Sequence, residues 1–368
     1  MAEYILPDYS NCGLNVACSV LRYFGAKAAH PGHKDVDALL AQKPYRNVVV
    51  MLFDAMGMAT LRDHLPENSF LRSHVAREMT AVFPSTTVAA TTTIESGDSP
   101  MEHGWLGWSV YFEPIDRMVD VFINRDSLTG EPMEGERISE RFIPYKNIVE
   151  RLHEAGGCDA HIISRFGDTP AETLDDVFDV ASRLCEEDGK HYLYCYWGEP
   201  DHTMHEEGVM SVGDIVRDIN DRVERFAAEA GDDTLILVTA DHGQLDCENL
   251  YVDAYPELMA ACKRATAIEA RATVFYVKDE CKAQFEEIFE KTIGTEHFLL
   301  MKSEDALGKG LFGPGEAHPM FRSFIGDYIA IAVDRYSIWW KHLEKPLVGQ
   351  HAGLTPREML VPLIVAKK

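Results

Sequence analysis

The sequence predicts an α/β fold: a mainly parallel central sheet with helices on both faces, plus a small inserted α+β cap. Three observations predict it. Asn47–Phe53 and His191–Trp197 are apolar or aromatic almost throughout, and residues 233–239 carry the apolar run Leu235-Ile236-Leu237-Val238, as suits strands buried on both faces of a parallel sheet. Stretches of helical periodicity over 145–155, 171–186 and 212–230 separate such runs, the alternation expected of crossover connections. From residue 248 to about 322 the rhythm changes to shorter, mixed segments. The expected organisation is therefore a core of 1–247 and 323–368 with 248–322 as the inserted cap.

Taken in order, residues 11–24 space Leu14, Val16, Ala17, Val20, Leu21 and Phe24 for a helix ending at Gly25. The first buried strand ends in Asp54-Ala55-Met56-Gly57, and a helix of about two turns is expected to follow, to Leu65. Phe83-Pro84-Ser85-Thr86-Thr87 then leads into Val88-Ala89-Ala90-Thr91-Thr92-Thr93, the pattern of a loop opening into a helix. A turn at 97–100, strands near 109–112 and 118–123 and an irregular loop over 126–141 come next. Helix, strand and helix occupy 145–155, 160–163 and 171–186. Within the cap, 272–278 and 298–302 read as strands and 280–291 as a helix. Strand-like segments return at 327–333 and 359–366.

Composition narrows the function classes. With 368 residues, 46% of them apolar, the chain can bury a large core. A formal net charge of −25 disfavours a nucleic-acid groove. No apolar run approaches the ~18 residues of a bilayer span. Met1-Ala2-Glu3-Tyr4 lacks the basic segment and apolar core of a secretory signal, and eight cysteines without a Cys-x-x-Cys pair read as reduced. The expected compartment is the cytoplasm, with no membrane partner.

Chemistry gathers at strand ends. Asp54, Asp201 and Asp241 each follow a strand, His242 adjoins Asp241, and His205 lies four residues beyond Asp201. In a wound parallel sheet the carboxyl ends of strands share one edge, so these side chains can converge. Carboxylates mixed with imidazoles suit Zn²⁺ or Mn²⁺ better than Mg²⁺ or Ca²⁺. Three aspartates together repel one another unless a cation intervenes. Each residue alone has a plain structural reading, as a cap, a turn or a packed histidine. Their joint occurrence favours a site. His351, in Gly349-Gln350-His351-Ala352-Gly353, is a further candidate.

These motifs resemble those of the alkaline phosphatase superfamily, in particular its type I phosphodiesterase/nucleotide pyrophosphatase branch. The matching residues are Phe-Asp-Ala-Met-Gly at 53–57, Phe-Pro-Ser-Thr-Thr at 83–87 and Glu-Pro-Asp-His-Thr-Met-His at 199–205. Thr-Ala-Asp-His-Gly at 239–243 and His-Ala-Gly-Leu-Thr at 351–355 complete the set. The resemblance implies an alkaline phosphatase-like fold and two divalent cations, with zinc preferred and manganese the alternative. It implies one metal on Asp201, His205 and His351 and the other on Asp54, Asp241, His242 and Thr87. Thr87 would be the nucleophile and would form a phospho-threonine intermediate during hydrolysis of a small phosphodiester or pyrophosphate, nucleotide-type substrates foremost.

One departure from the family pattern concerns an asparagine that binds a phosphate oxygen in many nucleotide pyrophosphatases. Trp108 stands there. Asn124 is a candidate substitute, and Trp105 and Trp108 are candidates for stacking on a planar substrate group. Neither Arg165 nor Arg271 is placed as a clear clamp for a terminal phosphate, which favours diesters over monoesters. Phosphomonoesterase, phosphonate hydrolase and phosphomutase activities are the enzyme alternatives, and a metal-stabilised binding protein the non-enzyme one. The absence of a Cys/Ser-x-Pro-x-Arg segment disfavours a sulfatase.

Overall fold

The computed structural model describes residues 3–366. Its central sheet has seven strands in the order Val75–Thr80, Leu360–Ala366, Thr234–Thr239, Asn47–Phe53, His191–Trp197, Asp159–Ser164, Thr169–Pro170. Only Leu360–Ala366 runs against the rest, pairing antiparallel with both of its neighbours. Asn47–Phe53 lies in the middle, fully buried along its length, with Val50 opposite Tyr194 on one side and Leu237 on the other. Its unbroken apolar run is what a strand covered on both faces requires.

Helices pack on this sheet through single apolar stripes. Leu174–Glu186 turns Val177, Phe178, Ala181 and Leu184 inward against His191–Trp197 and Asp159–Ser164, and Thr173 caps its start by accepting the Asp176 N–H at 3.1 Å. Gly213–Glu229 buries Val216, Ile219, Val223 and Phe226. Gly13–Tyr23 packs on Thr87–Ser96. The latter helix is buried nearly all round, with Val88, Ala89, Ala90, Thr91, Thr92, Thr93, Ile94 and Ser96 inside. Its small residues allow that close packing. Among the described residues no helix is long and apolar enough to cross a membrane.

A second sheet, antiparallel throughout, orders Phe298–Lys302, Tyr328–Ala332, Ala272–Phe275, Ala267–Ile268, Ser109–Phe112, Arg117–Asp120 and Arg125–Asp126. Residues 248–322 therefore do not close a sheet by themselves. Tyr328–Ala332 lies between two of their strands, and Ser109–Phe112 extends the sheet beyond Ala267–Ile268. The physical reason is shared burial: Phe275, Phe285, Phe289 and Phe298 form one apolar cluster with Tyr328, Ala330 and Ile338. In the expected loop 126–141, a short strand, Arg125–Asp126, and a helix, Ile138–Phe142, are present.

Candidate active site

The strand order sets the site. Asp201 lies just beyond His191–Trp197, Asp54 follows Asn47–Phe53, and Asp241 and His242 follow Thr234–Thr239. These three strands are adjacent and parallel, so their carboxyl ends place the three aspartates side by side. Asp201 opens the helix Asp201–Glu207, and His205 is one turn along the same face. His351 follows Gly349–Gln350, which pairs with Leu245–Asp246 just past His242. The tight turn at 241–243 needs its glycine, because a Cβ on Gly243 would lie 2.0 Å from the Arg357 carbonyl oxygen. Thr87 is the first residue of its helix, with Thr86 extended before it as the cap residue.

Two donor sets result. Ligand atoms of Asp201, His205 and His351 lie within 4.8 Å of one another, as do those of Asp54, Asp241 and His242. The Thr87 Oγ1 is 3.3 and 3.4 Å from the two Asp54 carboxylate oxygens and 3.2 Å from His242 Nε2. The rings of His242 and His351 stack at 3.9 Å, which links the sets.

The imidazoles are oriented alike. Nδ1 faces a backbone carbonyl in each: Gly349 at 2.7 Å from His205, Gly243 at 3.1 Å from His242 and Ser85 at 3.2 Å from His351. Such contacts place the proton on Nδ1 and turn the Nε2 lone pair inward. Those Nε2 atoms meet carboxylate oxygens at 3.2 Å for His205–Asp201, 3.8 Å for His351–Asp201 and 3.4 Å for His242 with Asp54 and Asp241. Lone pairs facing carboxylates repel unless a proton or a cation lies between them. The buried Asp201 Oδ1 and Asp241 Oδ2 have no hydrogen-bond partner, a costly state that a cation relieves. The residues fit two divalent ions.

The carboxylates and imidazoles shift one another strongly. Burial, with the Asp241 and Asp201 carboxylates beside it, pushes the Asp54 carboxyl well above its ordinary range. Burial works the same way on Asp201, but His205 and His351 outweigh it and hold Asp201 low. His205 is depressed by burial yet raised by Asp201, to about 9. Burial and the neighbouring His242 drive His351 well down.

The expected substrate residues part company here. Trp105 is 9% exposed, packs in the main core and donates its indole N–H to the Ile143 carbonyl at 2.8 Å, so its ring is a packing element. Trp108 is 43% exposed and T-shaped against Phe122, and its backbone N–H donates to Glu269 at 2.8 Å. Asn124 adopts a left-handed φ of 53° and accepts the Ile138 N–H at 2.9 Å. Its amide braces the loop. Arg271 is fully buried, with Nε and Nη2 on Glu358 at 2.6 and 2.8 Å, and Arg165 lies exposed beside Glu172.

Three residues at the site carry no motif. The Tyr196 hydroxyl donates to Asp54 Oδ2, and Gln244 lies 3.1 Å from His205 Nδ1. Glu269 Oε1 accepts from the Thr86 hydroxyl at 2.7 Å and from the Trp108 N–H. Tyr196 and Gln244 flank recognised strand ends, which is a usable signal. For Glu269 the only hint is a carboxylate within the apolar-leaning run Ala265-Thr266-Ala267-Ile268-Glu269-Ala270.

An α/β scaffold with two aspartate–histidine sets around a helix-initial threonine is the class that fold and site define. The family model for type I phosphodiesterase / nucleotide pyrophosphatase matches residues 48–353, and the chain belongs to that family. Among solved structures it is similar to murine ectonucleotide pyrophosphatase / phosphodiesterase 5, with a TM-score of 0.65, 16% identity and 87% of this chain covering 88% of that one. An inactive form of that protein in complex with AMP gives a TM-score of 0.65 at 16% identity, covering 87% of each chain. Phosphonoacetate hydrolase from Sinorhizobium meliloti 1021, in complex with phosphonoformate, is similar at a TM-score of 0.64 and 16% identity, covering 88% of this chain and 90% of that one. No curated protein matches the chain.

Proposed function

We propose that the protein hydrolyses phosphodiester or pyrophosphate bonds of a small, nucleotide-type molecule with two divalent cations, zinc foremost, and Thr87 as nucleophile. The observation that carries this reading is the Thr87 hydroxyl, within 3.4 Å of Asp54 and His242 in one donor set. Asp201, His205 and His351 would hold one ion; Asp54, Asp241, His242 and Thr87 would hold the other. When bound, such ions supply positive charge that favours an alkoxide and stabilises phosphoryl oxygens.

The chain's own groups do the rest. Asp54 Oδ1 and Oδ2 lie where they can accept the Thr87 hydroxyl proton. Oγ1 attacks phosphorus as the bond to the leaving alcohol or nucleotide breaks, giving phospho-threonine at residue 87. Water then attacks that phosphorus, restores the hydroxyl and releases the phosphorylated product. Free N–H groups at the start of Thr87–Ser96 are suited to a phosphoryl oxygen. With Arg271 taken up by Glu358 and Arg165 exposed, neither of these arginines is offered to a dianionic terminal phosphate, and that favours diesters.

Rates on bis-p-nitrophenyl phosphate, p-nitrophenyl phosphate, p-nitrophenyl thymidine monophosphate and phosphonoacetate test the reading. The two diesters are expected to be the better substrates, with activity abolished by a chelator and restored by Zn²⁺. Preference for the monoester or for phosphonoacetate would overturn the diesterase assignment.

A further inference from the structure

We propose that Glu269 is a specificity-determining residue: its carboxylate, hydrogen-bonded to the residue before the nucleophile, disfavours a phosphoryl group with two negative charges and so selects monoanionic diesters. This rests on the reading of the site as a phosphodiesterase.

Glu269 is built into place. Its Oε1 accepts from the Thr86 hydroxyl at 2.7 Å and the Trp108 N–H at 2.8 Å. One carboxylate thereby ties the start of the nucleophile helix to the turn before Ser109–Phe112. The preceding residue, Ile268, has φ 74°, a left-handed conformation that a β-branched residue rarely adopts. Gly107 packs on that kink: a Cβ there would lie 2.7 Å from the Ile268 carbonyl oxygen. Strain of this kind persists only where the surroundings impose it.

The Glu269 carboxylate lies beside the chemistry: Thr86, whose hydroxyl it accepts at 2.7 Å, immediately precedes Thr87 at the start of the nucleophile helix. Burial is the largest influence and pushes its carboxyl up to about 7 against those two hydrogen bonds, so it is ionised at about pH 9. Both of its hydrogen-bond partners are neutral donors. A diester brings one negative charge to this position and an aryl monoester two. Beside a carboxylate, the second charge meets the larger repulsion.

Glu269→Gln separates charge from scaffolding, because the amide oxygen still accepts from Thr86 and Trp108 while the charge is gone. At about pH 9, with metal content checked, the ratio of kcat/KM for p-nitrophenyl phosphate to that for bis-p-nitrophenyl phosphate should rise about tenfold or more over wild type. A ratio within about twofold of wild type, in a variant that keeps its metals, would overturn the inference. A wild-type comparison covers the case in which the variant does not fold. The p-nitrophenyl ester of methylphosphonate, a monoanion of nearly the same shape, should outpace dianionic p-nitrophenyl phosphate, and equal rates would overturn the inference. A monoester preference in the wild type would instead strike the diesterase reading, while the variant-to-wild-type change still reads Glu269.

Discussion

At the scale of single residues, the site is a set of groups whose burial would be unfavourable without a partner. Asp54 and Asp241 are each 2% exposed and His242 is fully buried, and a proton or a cation between them is needed to reconcile such carboxylates with inward-facing lone pairs. Glu95, on the nucleophile helix, is a different case. Its carboxylate accepts the Tyr145 hydroxyl at 2.8 Å, and burial pushes its carboxyl from 4.5 up to about 7. A carboxyl whose folded pKa lies above its unfolded one contributes its full stability below about 4.5, and that contribution is lost as pH rises through about 7. Glu95→Gln removes the titration and keeps an acceptor for Tyr145. Relative to wild type, the variant should gain about 1–3 kcal/mol between about pH 4.5 and pH 8.5 in urea unfolding. A stability difference that does not change with pH would count against this account of Glu95.

At the scale of elements, the ion pair of Arg271 and Glu358 joins the second sheet to the segment that carries His351. Glu358 also accepts the Gly353 N–H at 2.7 Å and the Thr355 hydroxyl at 2.6 Å. The turn after the metal-ligand candidate is thus fastened from behind. Arg271→Met would leave Glu358 charged and unpaired in the core, at a cost of about 3–5 kcal/mol. Adding Glu358→Gln, which keeps the acceptor and removes the charge, should recover part of that loss. Urea midpoints of the two variants check this, and a loss below about 1 kcal/mol in Arg271→Met would refute the brace. Legibility divides along similar lines. Asn47–Phe53 was readable because a strand buried on both faces has to be apolar throughout. Val75–Thr80 was not, because an edge strand can leave Ala76, Arg77 and Glu78 exposed. The second sheet was hidden for another reason: its strands come from 109–126, 267–302 and 328–332, and no local pattern announces pairing at that separation.

At the scale of the whole molecule, topology turns scattered motifs into a site. Residues 54, 87, 201, 205, 241, 242 and 351 were all readable, because each lies in a motif at a strand or helix boundary, and the adjacent parallel strands bring their ends together. The substrate side was less legible. Trp105 is buried, and the amide of Asn124 is spent on its own loop, while Glu269 reaches the nucleophile helix only because Ala267–Ile268 pairs beside Ser109–Phe112. The proposed selectivity residue is placed by long-range packing, whereas the candidate ligand positions lie in motifs at local boundaries. The central claim is that Thr87 performs the phosphoryl chemistry between two bound ions. Its most direct test is kcat/KM for bis-p-nitrophenyl phosphate in metal-loaded wild type and Thr87→Ala, with metal content measured on the same samples. The account predicts about two ions per chain in both proteins and a fall of at least about 10³-fold in the variant. A variant that keeps its ions and stays within about tenfold of wild type would contradict it.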